Sequence, residues 1–208
     1  MKPRSIIYID GFNFYYGAVR GSRYKWLDLE ACFRRLRPGD DIRRIYYFTA
    51  LVDGDKRARQ QTYLRALATL PNVEVILGKF KLKQVRCRVA GCSYGGDRTF
   101  ETPEEKRTDV NIALQLIDDA HHDRAERFVL ISGDSDLVPV LERVKLLRPE
   151  KELIVYVPAR HRIRGAATEL RNAADKNKTF PEVLLKVSQF PVRLPDGRGG
   201  TIEKPPSW

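Results

Sequence analysis

The sequence has little of what marks secreted, disulfide-bonded or membrane-spanning proteins. It contains three cysteines, an odd number and too few for a disulfide framework. It has no run of 18 apolar residues, so no membrane-spanning helix is predicted. The apolar run near the N-terminus, IIYI, is only four residues long, too short for the core of a secretory signal. We therefore expect a cytoplasmic protein with no membrane partner.

The sequence also has fewer acidic than basic residues. Lysine and arginine together number 38 against 27 acidic residues, which gives a net charge of +11 and a pI of about 9.7. Polyanions are the natural partners of such a chain, and nucleic acid is the first of them. A merely basic soluble protein is the alternative that charge alone leaves open.

Apolar segments of strand and helix type alternate along the 208 residues. Short runs rich in β-branched and aromatic residues occur at 5–9, 42–52, 127–132 and 152–158, with amphipathic helical patterns between them. This alternation predicts an α/β fold, a Rossmann-like α/β/α sandwich with a mainly parallel central sheet. We expect one domain over residues 1–180, a loop-rich insertion at about 86–103, and a Pro/Gly-rich extension over 181–208.

A helix is predicted to begin near Pro103-Glu104, after the turn-rich insertion. Val110, Ala113, Leu114 and Ile117 recur along it at helical spacing, which predicts that they form its buried face.

Four aspartates lie where the predicted elements meet. Asp10 directly follows the first strand, and Asp134 and Asp136 follow the strand at 127–132. Asp109 lies in the first or second turn of the helix predicted from Glu104. Sites in open α/β sheets form beyond the carboxyl ends of the strands, where the strand order reverses. If the first and fourth strands are neighbours, the four carboxylates meet at one rim.

Four neighbouring carboxylates repel one another, and a divalent cation would relieve that repulsion. Carboxylate oxygens suit Mg²⁺ or Mn²⁺, whereas a catalytic zinc site would need histidines that this part of the sequence lacks. A carboxylate-bound cation in a basic protein predicts phosphodiester hydrolysis.

Each aspartate also has a purely structural interpretation. Asp10 before Gly11 is typical of a turn that ends a strand. Asp134 or Asp136 would serve as the cap of the following helix. Asp109 would be an exposed helix residue paired with Lys106. The joint arrangement of the four on one predicted rim favours the functional interpretation.

Further polar residues are predicted to contact phosphate or metal-bound water: Asn13, Lys106, Ser132, Ser135, Arg160 and Arg162. The two arginines belong to RHRIRG, which follows the strand at 152–158 and so lies on the same rim. Asn13 is also an ordinary residue at a helix start, and an ion pair with an acid is an equal alternative for Lys106.

Cys87 and Cys92 are spaced as half of a zinc site would be. The other cysteine and histidine candidates, Cys32, His121, His122 and His161, are not brought close by the sequence. Two ordinary thiols in a loop are therefore the favoured interpretation.

Three motifs in this order, YIDGFN, EEKRTDVNIALQLIDDA and FVLISGDSDLVPVLERV, resemble the NYN-domain family, in particular its bacterial LabA-like group. The resemblance covers roughly residues 5–175 and implies a PIN-like fold with metal-dependent ribonuclease activity. Asp10, Asp109, Asp134 and Asp136 match the family's acidic cluster, and Asn13 matches the asparagine of the opening motif.

The resemblance favours RNA over DNA as the partner, and a homodimer is an alternative to a monomer. A nucleic-acid-binding module of the same fold that hardly cleaves is the rival function. A phosphatase of the haloacid-dehalogenase type is disfavoured, because Phe12 stands where its second aspartate would be.

Overall fold

The computed structural model describes residues 1–54, 56–159, 167–206 and 208, and a six-stranded parallel sheet forms its centre. Ten strands are present in these ranges: β1 (Arg4–Asp10), β2 (Asp41–Thr49), β3 (Val73–Leu77), β4 (Lys79–Arg86), β5 (Thr99–Lys106), β6 (Arg127–Ile131), β7 (Glu152–Val157), β8 (Lys176–Thr179), β9 (Arg193–Pro195) and β10 (Thr201–Glu203). Seven α-helices accompany them: α1 (Gly11–Phe14), α2 (Leu29–Leu36), α3 (Lys56–Leu67), α4 (Thr108–His121), α5 (Val138–Leu147), α6 (Thr168–Ala173) and α7 (Val183–Val187).

The central sheet has the order β3-β2-β1-β6-β7-β8, and every neighbouring pair in it is parallel. From β1 the chain builds outward through β2 and β3, then returns to the other side of β1 to start β6. The strand order therefore reverses between β1 and β6, which are neighbours as the site prediction required.

The strands of the sheet are apolar on both faces, as expected when helices cover both. Along β1, Ile7 and Ile9 belong to one apolar cluster and Ile6 and Tyr8 to the other. The first cluster contains residues of α2 and α3, and the second contains residues of α4 and α5. This arrangement confirms the predicted α/β sandwich. None of the helices in the described ranges is long and apolar enough to cross a bilayer.

The segment after residue 180 packs against the first of these clusters. Leu185, Phe190 and Ile202 are buried in it. The indole nitrogen of Trp26 donates a hydrogen bond to the carbonyl of Pro191 at 2.8 Å. The ring of Trp208 lies 5.7 Å from that of Tyr63. A segment rich in proline and glycine thus contributes buried apolar side chains, while a domain boundary at residue 180 stays a prediction.

Residues 87–98, the greater part of the predicted loop-rich insertion at 86–103, form no helix or strand, and the two strands that flank them form a β-hairpin that was not predicted. β4 and β5 pair antiparallel in one continuous register from Lys79 with Lys106 to Arg86 with Thr99. The helix predicted from Pro103 begins only at Thr108, because residues 99–106 are held by this pairing. Glutamates and threonines there lack a strand-like apolar pattern, so local sequence did not reveal the strand.

The buried face of α4 also differs from the prediction. Ile112, Leu116 and Ala120 are buried, whereas Val110 and Leu114 are 60% and 63% exposed. Both sets recur at helical spacing, so periodicity alone could not choose between them.

The homodimer considered from the sequence stays a prediction.

Buried Asp119 ties α4 to the sheet, which yields a stability prediction. Its carboxylate is 0% exposed and accepts hydrogen bonds from the Tyr8 hydroxyl at 2.7 Å and from Arg124 at 2.6 Å. Asp119→Ala leaves a buried hydroxyl without its acceptor, so we expect a loss of about 2–4 kcal/mol in the free energy of unfolding. Urea unfolding followed by circular dichroism measures it.

Asp118→Ala is the matched control, because its exposed carboxylate pairs with the same arginine at 2.7 Å. We expect it to cost less than about 1 kcal/mol. Equal losses for the two variants would contradict the role given to Asp119.

Candidate metal centre

The first component of the site is Asp10, the last residue of β1 and the N-cap of α1. Its side chain is buried, and one carboxylate oxygen accepts a hydrogen bond from the backbone N–H of Asn13 at 3.0 Å. The other oxygen accepts from the hydroxyl of Ser132 at 2.9 Å. The predicted turn interpretation is therefore partly true, since Asp10 caps a helix while its carboxylate reaches the end of β6.

Gly11 lets this helix start lie against β2. A Cβ atom at Gly11 would come within 2.5 Å of the Phe48 carbonyl oxygen and 2.9 Å of the Tyr47 ring. Close approach, and not an unusual backbone angle, is what requires glycine here.

The second component follows β6, in Ser132, Gly133 and Asp134. Asn13 accepts a hydrogen bond from the backbone N–H of Gly133 at 2.9 Å, so the two strand ends are bonded to each other. The hydroxyl of Ser132 accepts from the N–H of Asp134 at 3.1 Å while donating to Asp10. Asp134 in turn caps a short 3₁₀ turn, accepting from the N–H of Asp136 at 3.0 Å.

The third component is Asp109, the second residue of α4. Arg107, just before the helix, has a left-handed backbone with φ of 80°, a conformation that non-glycine residues adopt at a cost. Gly78 permits the close packing of this corner, because a Cβ there would lie 2.7 Å from the Thr108 hydroxyl oxygen. The strained turn and the glycine contact together set the position at which α4 begins.

Three of the four predicted acids come together. Ligand oxygens of Asp10, Asp109 and Asp134 all lie within 4.8 Å of one another. Within the described ranges this is the only group of three or more potential ligands so close, whether His, Cys, Asp or Glu. Asp136 lies outside that limit, although its charge is near enough to raise the pKa of Asp109.

Burial and mutual repulsion perturb these carboxyl groups. Burial raises the pKa of Asp10 to about 6; the hydrogen bonds from Asn13 and Ser132 lower it, and the charges of Asp109 and Asp134 raise it. Burial also raises the pKa of Asp109, with further increases from Asp134 and Asp136. Without a cation the cluster resists full ionisation, and hard carboxylate oxygens at this spacing fit a divalent metal such as Mg²⁺ or Mn²⁺.

Glu105 is an acid that the sequence reasoning missed. It lies on β5, and burial raises its pKa to about 7; the hydrogen bond donated by the Thr108 hydroxyl lowers it, and the charges of Asp10 and Asp109 raise it. Its approach to the aspartates depends on the strand pairing of β5, which the sequence did not reveal. Glu105 could have been placed near the aspartates from the sequence only if residues 99–106 had been identified as a strand.

The other predicted site residues are distributed differently. Ser135 is exposed in the 3₁₀ turn, and the Lys106 ammonium forms an ion pair with Glu104 at 3.0 Å. No third ligand joins Cys87 and Cys92 among the residues that the structure describes. Arg160, Arg162 and His161 lie outside the described residues.

A cavity of about 270 Å³ lies next to the start of α1, and we call it the aromatic cavity. Gly11 and Phe12 form part of its wall, and Tyr47 connects it to the acids. Burial raises the pKa of the Tyr47 hydroxyl, and the charges of Asp10 and Glu105 raise it further, so this hydroxyl lies within electrostatic range of the two acids.

The three sequence motifs and the acid cluster can now be compared with known proteins. The NYN domain model matches residues 4–181. The chain belongs to the NYN-domain family. Members of this family are usually nucleases of PIN-like fold, and an acidic cluster able to hold a divalent metal is consistent with that.

Two known proteins are similar to this NYN domain, one in sequence and one in structure. The 6-hydroxy-3-succinoylpyridine 3-monooxygenase HspA of Pseudomonas putida is 32% identical, over 99% of this chain and 75% of its own length. The crystal structure of VPA0982, a protein of unknown function from Vibrio parahaemolyticus, is similar with a TM-score of 0.55 and 23% identity. That match covers 87% of this chain and 94% of the other, and it shows the fold alone.

The raised pKa of Asp10 predicts how stability depends on pH in the metal-free NYN domain. Asp10 has a pKa of about 6 in the folded state, and we take about 4 for the unfolded chain. The folded state therefore binds the proton more tightly, and stability is lost as pH rises between these values. Asp10→Asn carries no charge, so its stability relative to wild type should rise by about 2–3 kcal/mol from pH 4 to pH 7 in EDTA.

Asp28→Asn is the matched control, because Asp28 also caps a helix, accepting from the N–H of Ala31 at 2.8 Å. This control tests whether the pH dependence belongs to the buried Asp10 or is common to helix-capping aspartates. A pH-independent difference for Asp10→Asn would contradict the assigned shift. Addition of Mn²⁺ should raise the melting temperature of wild type and of Asp28→Asn but not of Asp10→Asn.

Proposed function

We propose that this chain is a divalent-metal-dependent endoribonuclease that hydrolyses RNA phosphodiester bonds through Asp10, Asp109, Asp134 and Asp136. The observation that supports this most is a set of three carboxylates whose oxygens lie within 4.8 Å of one another. They lie where the strand order of this basic NYN domain reverses, between β1 and β6. Acids so close together would weaken a surface meant only to bind phosphate, so they favour a catalytic role.

Asp10, Asp109 and Asp134 would hold the cation, and Mg²⁺ and Mn²⁺ both suit their oxygens. When bound, such a cation neutralises charge on the phosphate and lowers the pKa of a coordinated water. Asp136 would act through a water molecule, since it lies outside the 4.8 Å group.

The surrounding residues orient these acids and handle protons. Ser132 and Asn13 hold the two strand ends together by hydrogen bonds of 2.9 Å each. Glu105, with a pKa of about 7, is suited to accept the proton of the attacking water. The leaving oxygen takes up a proton as its bond to phosphorus breaks, so the reaction yields a phosphate monoester and a hydroxyl.

The expected substrate follows from charge and from the family. The net charge of +11 favours a polyanion, and Lys79, Lys81 and Lys83 lie exposed along one face of β4. A hairpin carrying these lysines beside the acids would contact the RNA backbone. Lys106 and the arginines of RHRIRG remain candidates for phosphate contacts.

A binding module that hardly cleaves is the first alternative. It would use the same basic surface, but the acids would then reduce its affinity by repelling phosphate. Neutralising an acid would strengthen RNA binding in such a module and change nothing else.

A second alternative comes from the relative HspA, which is named as a monooxygenase of 6-hydroxy-3-succinoylpyridine. The aromatic cavity, with cations among its lining residues, would accommodate a heteroaromatic acid of that kind. Incubation with this compound, O₂ and a reduced nicotinamide, followed by chromatography, tests for a hydroxylated product. We favour the nuclease because the acid cluster serves hydrolysis directly.

The nuclease proposal predicts graded losses of activity. Asp10→Asn, Asp109→Asn and Asp134→Asn should each lower the rate of RNA cleavage by at least about 100-fold in Mn²⁺ or Mg²⁺. Asp136→Asn should lower it by about 10-fold, as expected for a residue outside the ligand set. Cleavage of single-stranded RNA and DNA pools is followed on denaturing gels, with EDTA as the metal-free condition.

Asp97→Asn is the control, because Asp97 lies in the exposed loop of the hairpin and should retain full activity. Wild-type protein that cleaves no RNA with either cation would overturn the proposal. Cleavage that persists in EDTA, or in Asp134→Asn, would show that other residues carry the reaction.

A further inference from the structure

The aromatic cavity is lined by rings from distant parts of the chain. Its aromatic walls include Phe12, Tyr15, Tyr16, Tyr47, Tyr63 and Trp208. Ring contacts fix several of them: Tyr63 meets Tyr47 at 6.3 Å and Trp208 at 5.7 Å between ring centroids. Rings held in place before a ligand arrives lose little entropy on binding.

The size of the cavity suits one ring system. Its volume of about 270 Å³ is just below the roughly 300–1,000 Å³ of pockets for drug-sized ligands. It is too small for a length of stacked strand, and its lining residues include the hydroxyl-bearing Tyr47 and Thr49. Flat aromatic walls with a few hydroxyls suit a planar heterocycle, which stacks on the rings and hydrogen-bonds at its edge.

Positive charge is concentrated at the same cavity. Arg20, Lys25, Lys56 and Arg59 line it, and the described lining residues include no aspartate or glutamate. The guanidinium of Arg20 lies 5.1 Å from the centroid of the Tyr16 ring, so a cation and a stacking surface are adjacent. A ligand that combines a planar ring with an anionic group matches this lining.

The position of the cavity relates it to the acids. Gly11 and Phe12 follow Asp10 directly and line the cavity, and the Tyr47 ring, which also lines it, lies close to the Gly11 backbone. A ring bound there would belong to the nucleotide next to a phosphate held at the aspartates.

We infer that the aromatic cavity binds one unstacked nucleobase of single-stranded RNA, with a neighbouring phosphate at its cations. The inference rests on the proposed nuclease function and adds its substrate class, since a paired base cannot enter a walled cavity without leaving its helix. Single-stranded segments should therefore be cleaved in preference to duplex.

Binding of mononucleotides tests the inference without relying on cleavage. Calorimetric titration of wild-type protein in EDTA should show AMP and UMP binding at least about tenfold more tightly than ribose 5-phosphate, which lacks a base. Adenosine, which lacks the phosphate, should also bind more weakly than AMP. Pyridine-3-carboxylate serves as the free aromatic acid.

Tyr16→Ala is the decisive variant, because the Tyr16 side chain is 56% exposed and its removal spares the core. We expect about tenfold weaker AMP binding, and no change for Tyr94→Ala, whose 64% exposed ring lies on the hairpin loop. Lys56→Gln should weaken AMP binding about threefold and reduce its salt dependence, whereas Lys186→Gln, on α7, should not.

Three results would overturn the inference. Ribose 5-phosphate binding as tightly as AMP would mean that charge alone is recognised. Binding of pyridine-3-carboxylate without AMP or UMP would assign the cavity to a free aromatic acid. Equal effects of Tyr16→Ala and Tyr94→Ala would locate the base elsewhere.

The nuclease proposal and this inference can fail separately. Tight AMP binding that responds to Tyr16→Ala, in a protein that never cleaves RNA, would support the cavity and refute the nuclease. Metal-dependent cleavage with an unchanged KM in Tyr16→Ala would support the nuclease and refute the cavity.

Discussion

Parallel pairing of β1 with β6 is the constraint on which the site depends. Ile9 pairs with Ile131, so the two chains leave the sheet side by side at Asp10 and Ser132. Two hydrogen bonds then join the strand ends, from Ser132 to Asp10 and from Gly133 to Asn13. A slip of one residue in this register would turn the buried carboxylate to the opposite face of the sheet and break both bonds.

The site combines two opposing electrostatic demands. A domain with a net charge of +11 attracts phosphate, yet at its switch point it carries acids whose pKa values are raised by burial and by one another. A proton or a cation relieves this repulsion, and only the cation leaves the carboxylates charged and able to act. The left-handed backbone at Arg107, just before α4, is also strained, and the surrounding packing holds it in this conformation.

The sequence predicted the features that follow from local patterns. Apolar runs that end on Asp10 and Ser132 identified the two central strands, and the rule for parallel sheets then placed their carboxylates at one rim. Asp109 was included because it lies near the start of a predicted helix, although that helix begins at Thr108 and not at Glu104. These inferences needed only strand and helix periods together with the reversal of strand order.

The remainder depended on contacts between distant residues. β5 pairs with β4 through residues that look like a loop, so both the hairpin and the position of Glu105 were missed. On α4, two apolar sets share the helical period, and only packing against the sheet decides that Ile112 and Leu116 are buried. The aromatic cavity brings Phe12 together with Trp208, a pairing for which one sequence offers no signal.

The contribution of Trp208 to the cavity wall has a consequence for the order in which the protein matures during synthesis. The acids, at residues 10, 109 and 134, emerge from the ribosome well before residue 208. A domain folds as a unit, and residues after 180 also bury apolar side chains in its core. The acid cluster and the cavity wall are therefore expected to form together, only after residue 208 has been synthesised.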